Sequence, residues 1–283
     1  MTGMTTLRDK ALLFRSLHVP GRPLVLPNAW DVASARIVAQ AGAAAVATTS
    51  AGVAWALGHG DGDRLDRDLG LGLVARVAAA VDVPVTADVE SGYASAPAGV
   101  AETVRGVLAA GAVGINLEDS LRSGPDPLRP VREQCERIAA ARGAADGAGV
   151  PLFVNARIDT HRLPGGDPSV WRRETLARAE AYVAAGADGV FVLGTPDAAA
   201  VTALTEAVPV PVNVLAGPGG WAVSALAALG VARVSAGSSI AEAAYGLVAR
   251  AARELLTDGT CRALEGGLAY GELNALLLAE PRR

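Results

Sequence analysis

Eight short apolar runs recur along the chain, separated by longer stretches in which apolar and polar residues mix. The runs are rich in Val, Ala, Leu and Ile and are continuously apolar, which is typical of parallel strands buried on both faces. They cover residues 23–28, 43–50, 83–90, 111–119, 150–157, 187–194, 210–217 and 232–237. The pattern therefore predicts eight parallel strands.

The stretches between the runs are amphipathic and predict helices, as in 31–42, 65–81, 97–111 and 130–149. Several end on glycine, which readily forms the left-handed residue that closes a helix. Eight such units within 283 residues predict a single (β/α)8 barrel over 1–283, with 258–283 as a C-terminal helical extension. The alternative is a doubly wound open sheet, but the first run continues as PNAWDVAS and lacks a glycine-rich dinucleotide fingerprint.

Charged residues stand where three of the predicted strands end, in the segments 85–93, 113–120 and 152–160. Buried charge is costly unless it is paired, so carboxylates converging from several strands indicate a cation site or a catalytic cleft. In a barrel the carboxyl ends of all strands share one face, which holds the active site. We expect one pocket bordered by the 48–52 turn and by Asp88, Glu90, Glu118, Asp119, Asn155, Arg157 and Asn213.

Asp88 and Glu90 are two residues apart, so strand alternation places them on one face, and Glu118 comes from the next strand. Three carboxylates and water suit Mg²⁺, or Mn²⁺, better than zinc. In the alternative interpretation, Asp88 or Glu118 pairs with Arg157 in a buried ion-pair network. Asp119 points the opposite way from Glu118, which predicts either a supporting contact or a helix cap.

Arg157 can hold a carboxylate or phosphate through two parallel hydrogen bonds, so a substrate anion is its expected partner. The segment 48–62 opens with small residues whose backbone N–H groups could bind an anion, with the hydroxyl of Ser50 as a further donor. It ends at Asp61, close to His59. The alternative for this segment is a surface loop that uses glycine only for its turns.

Composition removes several classes of function. The chain has 25 basic and 29 acidic residues and only 4% aromatic residues, so neither a basic stripe nor stacking platforms for nucleic acid are expected. No apolar run reaches the roughly 18 residues of a membrane span, and the first residues lack signal-peptide features, so we expect a cytoplasmic protein without a membrane partner. The two cysteines, Cys135 and Cys261, predict no disulfide framework and no zinc site.

Six motifs in this order resemble the isocitrate lyase and phosphoenolpyruvate mutase superfamily, especially its phosphomutase-like branch. They are NAWD (28–31), TSAG (49–52), LGHGDG (57–62), ADVESGY (87–93), INLED (115–119) and NARID (155–159). The resemblance implies a (β/α)8 barrel whose last helix is exchanged between subunits, in a homo-oligomer that is a dimer or a tetramer. It also implies Mg²⁺ and a small carboxylic or phosphono acid that reacts through an enolate-like species.

The resemblance further implies roles for single residues. Asp88 would bind the metal directly, and Glu90 and Glu118 would hold it through water. Asp61 would lie beside the reacting group, and Arg157 would contact the substrate. The substrate-binding set is completed by Ser50, Ala51, Gly52 and Asn213. Trp30 and Asp31 would support the site as architecture. For proton transfer the sequence offers His59, His161, Asp61 and Tyr93.

Two departures from the family limit the interpretation. The loop SLRSGPDPLRP (120–130) lacks the cysteine and histidine of the lyases and the lysine and asparagine of the mutases. Leu193 stands near the place where the mutases have a histidine. We therefore expect a Mg²⁺-dependent lyase that cleaves a C–C bond of a small 2-hydroxy or 2-oxo acid. The alternatives are a phosphonomutase or phosphonopyruvate hydrolase, and a non-catalytic barrel that binds an oxyacid.

Overall fold

The computed structural model describes residues 6–122, 126–162, 167–194 and 196–280, except for the side chain of Arg162. Its strands form one parallel sheet in the order β1-β9-β8-β7-β6-β5-β4-β3-β2. The strands are β1 (Leu24–Leu26), β2 (Asn28–Ala29), β3 (Val46–Thr48), β4 (Val85–Asp88), β5 (Gly114–Glu118), β6 (Phe153–Ile158), β7 (Gly189–Val192), β8 (Val212–Leu215) and β9 (Arg233–Ser235).

The first apolar run closes the barrel. Pro27 has no backbone N–H and divides this run into β1, which pairs with β9, and β2, which pairs with β3. The remaining seven predicted strands are each present as one strand. The predicted (β/α)8 barrel is therefore confirmed, with nine strand segments because its first stave is broken in two.

The helices are α1 (Leu7–Ser16), α2 (Val32–Gln40), α3 (Ser50–Ala56), α4 (Arg67–Ala80), α5 (Pro97–Ala109), α6 (Val131–Gly147), α7 (Pro168–Ala184), α8 (Ala198–Ala207), α9 (Val223–Ala228), α10 (Ser239–Thr257) and α11 (Tyr270–Leu278). Most of the helices surround the barrel, whereas α1 closes its lower end and the last helix, α11, packs on α2. Short 3₁₀ turns span Thr160–Arg162 and Arg262–Leu264. No helix in the described part of the chain is long and apolar enough to cross a membrane.

The interior of the barrel is layered. Its lower end is closed by an apolar floor, in which Phe14 of α1 lies edge-on to Phe153 with 5.7 Å between ring centroids. Above the floor comes a polar layer formed by Asn116, Asn155 and Arg233, all of which are buried. A pocket opens above this layer, at the carboxyl ends of the strands. The site is thus carried on rigid strands above a packed base.

The last helix of the barrel is largely exposed. Ala241 is the buried residue of α10, whereas Val248 and Leu256 are 64% and 85% exposed. Apolar exposure continues into the 258–280 tail, where Tyr270 is 85% exposed. The end of α11 is held against α2 by Arg36, whose Nη1 donates to the carbonyl oxygens of Leu276, Leu277 and Ala279. This exposed apolar face, which we call the α10 face, comprises α10 and the tail.

His18 gives the fold a predictable dependence on pH. Its ring stacks on Phe153 with 4.2 Å between centroids, and its Nδ1 donates to the carbonyl oxygen of Phe14 at 2.8 Å. Burial, helped by the charge of Arg233, lowers the pKa of His18 from 6.5 to about 3. The folded protein thus keeps His18 neutral, whereas the unfolded chain takes up a proton below pH 6.5, so stability falls as the pH falls.

We predict that protonation of His18 in the unfolded chain lowers the free energy of unfolding by about 2 kcal/mol when the pH falls from 7 to 5. Urea denaturation of the wild type and of His18→Leu at both pH values measures this. The variant should lose correspondingly less stability on acidification, whereas His59→Gln, at an exposed position, should behave as the wild type does. A His18→Leu variant with the full wild-type pH dependence would refute the prediction.

Candidate active site

A cavity of about 280 Å³ opens at the carboxyl ends of the barrel strands. It brings together five of the residues predicted for the site, namely Ser50, Ala51, Asp61, Asp88 and Arg157. Its other polar lining includes Asn28, Asn116 and Ser235, and one wall is apolar, formed by Phe191, Leu193 and Leu215. The predicted convergence of separate motifs on one pocket is therefore present.

Asp88 is the buried carboxylate that borders this cavity. It ends β4, where its Oδ2 accepts a hydrogen bond from the hydroxyl of Ser50 at 3.1 Å and its Oδ1 one from the backbone N–H of Glu90 at 3.3 Å. Nη1 of Arg157 lies 3.9 Å from Oδ2. Burial raises the pKa of Asp88, and the charge of Arg157 opposes that effect. Positive charge brought into the cavity would stabilise the ionised form.

Glu90 does not follow the strand alternation expected for it. The strand ends at Asp88, and Glu90 has a φ of +51°, in the left-handed region that few non-glycine residues occupy. Its Oε2 accepts the backbone N–H groups of Gly62, at 3.0 Å, and of Asp63. Burial raises the pKa of Glu90 to about 7, against the effect of the Asp63 amide. Glu90 therefore tethers the loop that carries Asp61.

Glu118 and Arg157 form the buried ion pair that the alternative interpretation described. Nη1 of Arg157 lies 2.7 Å from Oε2 of Glu118, and Nη2 of Arg122 lies 2.7 Å from Oε1. The Nε and Nη2 atoms of Arg157 donate to the two carboxylate oxygens of Asp159 at 2.7 and 2.8 Å. Burial raises the pKa of Glu118, opposed by Arg157. The two-bond grip that we expected for a substrate anion is thus occupied by Asp159, and Nη1 lies between Glu118 and Asp88.

Asp119 supports this pair from behind. Its carboxylate accepts hydrogen bonds from the hydroxyl of Tyr182 at 2.9 Å, from Arg178 at 3.1 Å and from the backbone N–H of Asp159 at 3.0 Å. Burial raises the pKa of Asp119 to about 6, while Arg178 opposes the effect. Of the two alternatives open for this residue, the supporting contact is the one that its side chain makes.

Several predicted residues lie outside the cavity wall. Gly52 is packed so tightly that a Cβ at this position would approach the side chains of Thr49 and Trp30 to 2.8 Å. Close packing alone is therefore enough to explain why this position has a glycine. His59 is exposed on the loop before Asp61. Asn213 lies below the cavity, where its Nδ2 donates to Oγ of Ser235 at 3.2 Å.

The remaining candidates for proton transfer are also displaced. His161 lies near Trp171, with 6.0 Å between ring centroids, and Tyr93 packs towards Gly70 of α4. In the loop 120–130, residues 123–125 lie outside the described residues. Asp31 has the architectural role expected of it, because its carboxylate accepts the backbone N–H of Ser34 at 2.7 Å and so caps α2.

Two asparagines that line the cavity, Asn28 and Asn116, were not singled out from the sequence. Oδ1 of Asn28 accepts the backbone N–H groups of Ala236 and Gly237, both at 2.9 Å, and its Nδ2 donates to the carbonyl oxygen of Thr48. It thereby joins β2, β3 and the end of β9 at the cavity. Asn116 lies within an apolar run and also reaches the cavity. The signal that could have revealed both is an amide side chain inside a continuously apolar strand.

The carboxylate oxygens around the cavity fit a hard cation that has few direct protein ligands and keeps several waters. Across the described residues, no group of three or more His, Cys, Asp or Glu side chains is arranged to hold a metal ion directly. Two carboxylates, from Asp61 and Asp88, border the cavity, and Oε1 of Glu90 is buried without a hydrogen bond to the described part of the chain. Mg²⁺ commonly takes one or two carboxylates and retains several waters. Direct ligation by Asp88 is compatible with this geometry, and support from Glu90 and Glu118 through water stays a prediction.

Together, fold and site define a (β/α)8-barrel protein with an acidic pocket at the carboxyl ends of its strands. The sequence profile of the phosphoenolpyruvate phosphomutase family matches residues 14–256. The chain therefore belongs to this family, within the isocitrate lyase and phosphoenolpyruvate mutase superfamily, and the resemblance seen in the six motifs is confirmed.

Three relatives show the range of the family. A protein of Burkholderia cenocepacia J2315 with a crystal structure is 40% identical, with a TM-score of 0.89 and coverage of 97% of this chain and 98% of that chain. The 2-methylisocitrate lyase of Escherichia coli K12 is 30% identical over 212 residues, 70% of each chain. A phosphonopyruvate hydrolase solved with oxalate and Mg²⁺ is 26% identical, with a TM-score of 0.80 and 94% coverage of both chains.

Replacing Arg157 by Lys tests the ion-pair network that Arg157 forms with Glu118 and Asp159. Lysine keeps the positive charge but lacks the guanidinium that donates two parallel hydrogen bonds. We expect the free energy of unfolding to fall by about 2 kcal/mol or more, since Glu118 or Asp159 would stay buried without its partner. Arg122→Lys is the matched control, because Arg122 makes one contact and its side chain is 29% exposed. Equally small losses for both variants in urea denaturation would contradict the network.

Proposed function

We propose that this protein is a Mg²⁺-dependent lyase that cleaves a C–C bond in a small 2-hydroxy or 2-oxo carboxylic acid. The observation that carries the proposal is the division of the cavity into two halves. One half has Asp88, Ser50 and Arg157, and the other is the apolar wall. A substrate with a carboxylate at one end and a carbon substituent at the other matches this division.

The apolar wall also favours C–C over P–C chemistry. A phosphono group carries up to two negative charges and is bound best by several cationic partners. Among the described residues that line the cavity, Arg157 is the one cation, and its fork is engaged by Asp159. Leu193 lies on the wall where the mutases have a histidine. Phosphonomutase or phosphonopyruvate hydrolase activity is therefore the second candidate.

The residues would share the work as follows. Ser50 and Ala51 line the cavity, and the small residues of this turn would bind the substrate carboxylate through their backbone N–H groups. Arg157 would add fixed positive potential where negative charge develops. With a 2-hydroxy acid, Asp61, which lines the cavity, would accept the hydroxyl proton as the C=O bond forms and the adjacent C–C bond breaks, with the electron pair of that bond passing to the other fragment as an enolate that then takes up a proton. Bound Mg²⁺, held by Asp88, would supply Lewis-acid stabilisation of that charge.

Turnover of a panel of acids tests this function. We expect Mg²⁺-dependent release of pyruvate from at least one of oxaloacetate, methylisocitrate and dimethylmalate, and its loss in Asp88→Ala. Asp68→Ala, on the exposed surface of α4, should keep wild-type activity. Phosphate release from phosphonopyruvate alone would favour the second candidate. Thermal stabilisation by these acids without any product would favour the non-catalytic oxyacid-binding barrel. A fully active Asp88→Ala would refute the metal assignment.

We also propose that the protein is a homo-oligomer, a dimer or tetramer, in which the α10 face packs on a second copy, with exchange of the last helix as one arrangement. Large contiguous apolar surfaces on soluble proteins mark interfaces, and α10 buries little of its own apolar surface within the chain.

Light scattering coupled to gel filtration measures the oligomer. Leu256→Glu should lower the molar mass to that of a smaller species, because it places charge in the middle of the buried contact. Leu69→Glu is the matched control, since Leu69 is a 50% exposed leucine on α4, away from the α10 face. A monomeric wild type, or a Leu256→Glu variant with unchanged mass, would contradict the proposal.

A further inference from the structure

Arg233 is a buried cation inside the barrel that is not in direct contact with any of the acidic residues that the structure describes, although it feels the charge of Asp88. It is 1% exposed, its guanidinium carbon lies 5.8 Å from the centroid of Phe14, and its Nη2 donates to Oδ1 of Asn116 at 3.1 Å. In the described part of the chain it forms no ion pair, and its Nε and Nη1 make no hydrogen bond. Burying an unpaired charge is costly, so a role for this charge is expected.

Arg233 lies at one end of a relay of asparagines whose orientation is fixed at both ends. At the far end, Nδ2 of Asn213 faces the carbonyl oxygens of Val214 and Arg233 at 3.1 and 3.3 Å, so that atom must be the amide nitrogen. Its Oδ1 must then accept, and it does so from Nδ2 of Asn155 at 3.1 Å. The same Nδ2 donates to Oδ1 of Asn116 at 2.9 Å.

Arg233 fixes the near end, because a guanidinium can only donate. Oδ1 of Asn116 therefore accepts two hydrogen bonds from within the barrel, from Asn155 and from Arg233. Asn116 also lines the cavity. With its oxygen held inside the polar layer, the carboxamide has its Nδ2 donor left for the cavity.

We propose that Arg233 is a positioning residue of the active site, which holds Asn116 so that its Nδ2 donates to an oxygen of the bound oxyacid anion. The inference deepens the proposed function and depends on it for the class of ligand. Nδ2 of Asn116 would thus reach the anion from the polar layer beneath the cavity, as a donor of fixed direction that the guanidinium of Arg157 does not provide. This arrangement also explains why a charge is retained in the interior of the barrel directly beneath an anion site.

Calorimetric titration with oxalate in saturating Mg²⁺ tests the proposal without requiring turnover. Arg233→Met should weaken oxalate binding about tenfold or more, because the hydrogen bond to the anion loses its fixed donor. Arg233→Lys should stay within about threefold of the wild type, since one ammonium donor suffices for Oδ1 of Asn116. Where the acid panel yields a substrate, kcat/KM should fall in parallel. Thermal stability of Arg233→Met should be equal to or above that of the wild type.

A double-mutant cycle distinguishes positioning from a general effect of charge or packing. Asn116→Ala should weaken oxalate binding as Arg233→Met does, and the double variant should lose no more than Asn116→Ala alone. Asn116→Ala and Arg233→Lys also keep the test available if Arg233→Met does not fold. Arg142→Met is the matched control: this arginine pairs with Asp188 at the lower end of the barrel, so the variant should lose stability but keep wild-type affinity.

Wild-type affinity in Arg233→Met or in Asn116→Ala would overturn the proposal, as would losses that multiply in the double variant. A wild type that does not bind oxalate would overturn it as well. A wild type that binds oxalate but turns over none of the acids would contradict the proposed lyase function alone.

Discussion

The site depends on one guanidinium that holds together carboxylates from neighbouring strands. The register aligns Glu118 of β5 with Arg157 of β6, and Asp159 follows on the same face two residues later. Without Arg157, acidic groups within a few ångströms would repel one another in a region from which water is excluded. With it, Glu118 and Asp159 are neutralised where the strand ends converge.

This arrangement decides which acidic group is left for chemistry. Glu118 and Asp159 are engaged by Arg157, and Glu90 is engaged by the loop that carries Asp61. Asp88 has longer contacts, to Ser50, to a backbone N–H and to Arg157, and borders the cavity. The carboxylates thus differ in function because their partners differ: one faces the ligand, and the others position what surrounds it. The layered interior beneath them, from Phe14 to the asparagines, supplies a rigid base.

The barrel could be predicted because strands buried on both faces are continuously apolar. This pattern is visible in the sequence and does not depend on how the individual side chains pack. The break at Pro27 could also have been predicted, since proline has no N–H for the ladder. The position of Asp88 followed from its place at a strand end. Glu90 could not be placed in this way, because alternation applies only while the chain remains extended, and the left-handed conformation at Glu90 ends it.

Other features of the site depend on side-chain contacts that form only in the folded chain and cannot be read from the sequence. Asp159 lies two residues after Arg157, so their shared face was readable, but the choice between an internal partner and a substrate was not. Asn116 and Arg233 stand inside apolar runs, and their meeting across the barrel depends on closure. The exposure of α10 could not be predicted from the sequence either. An amphipathic helix has the same pattern of apolar residues whether it packs on its own barrel or on a second copy of the chain.

The most direct test of this account is the position of the metal in crystals grown with Mn²⁺ and oxalate, located by anomalous scattering. The account predicts one ion in the cavity, with a direct bond from Asp88 at about 2.2 Å, and with Glu118 still paired to Arg157 and separated from the ion by water. An ion bound directly by Glu118, with the pair to Arg157 broken, or an ion located away from Asp88, would contradict it.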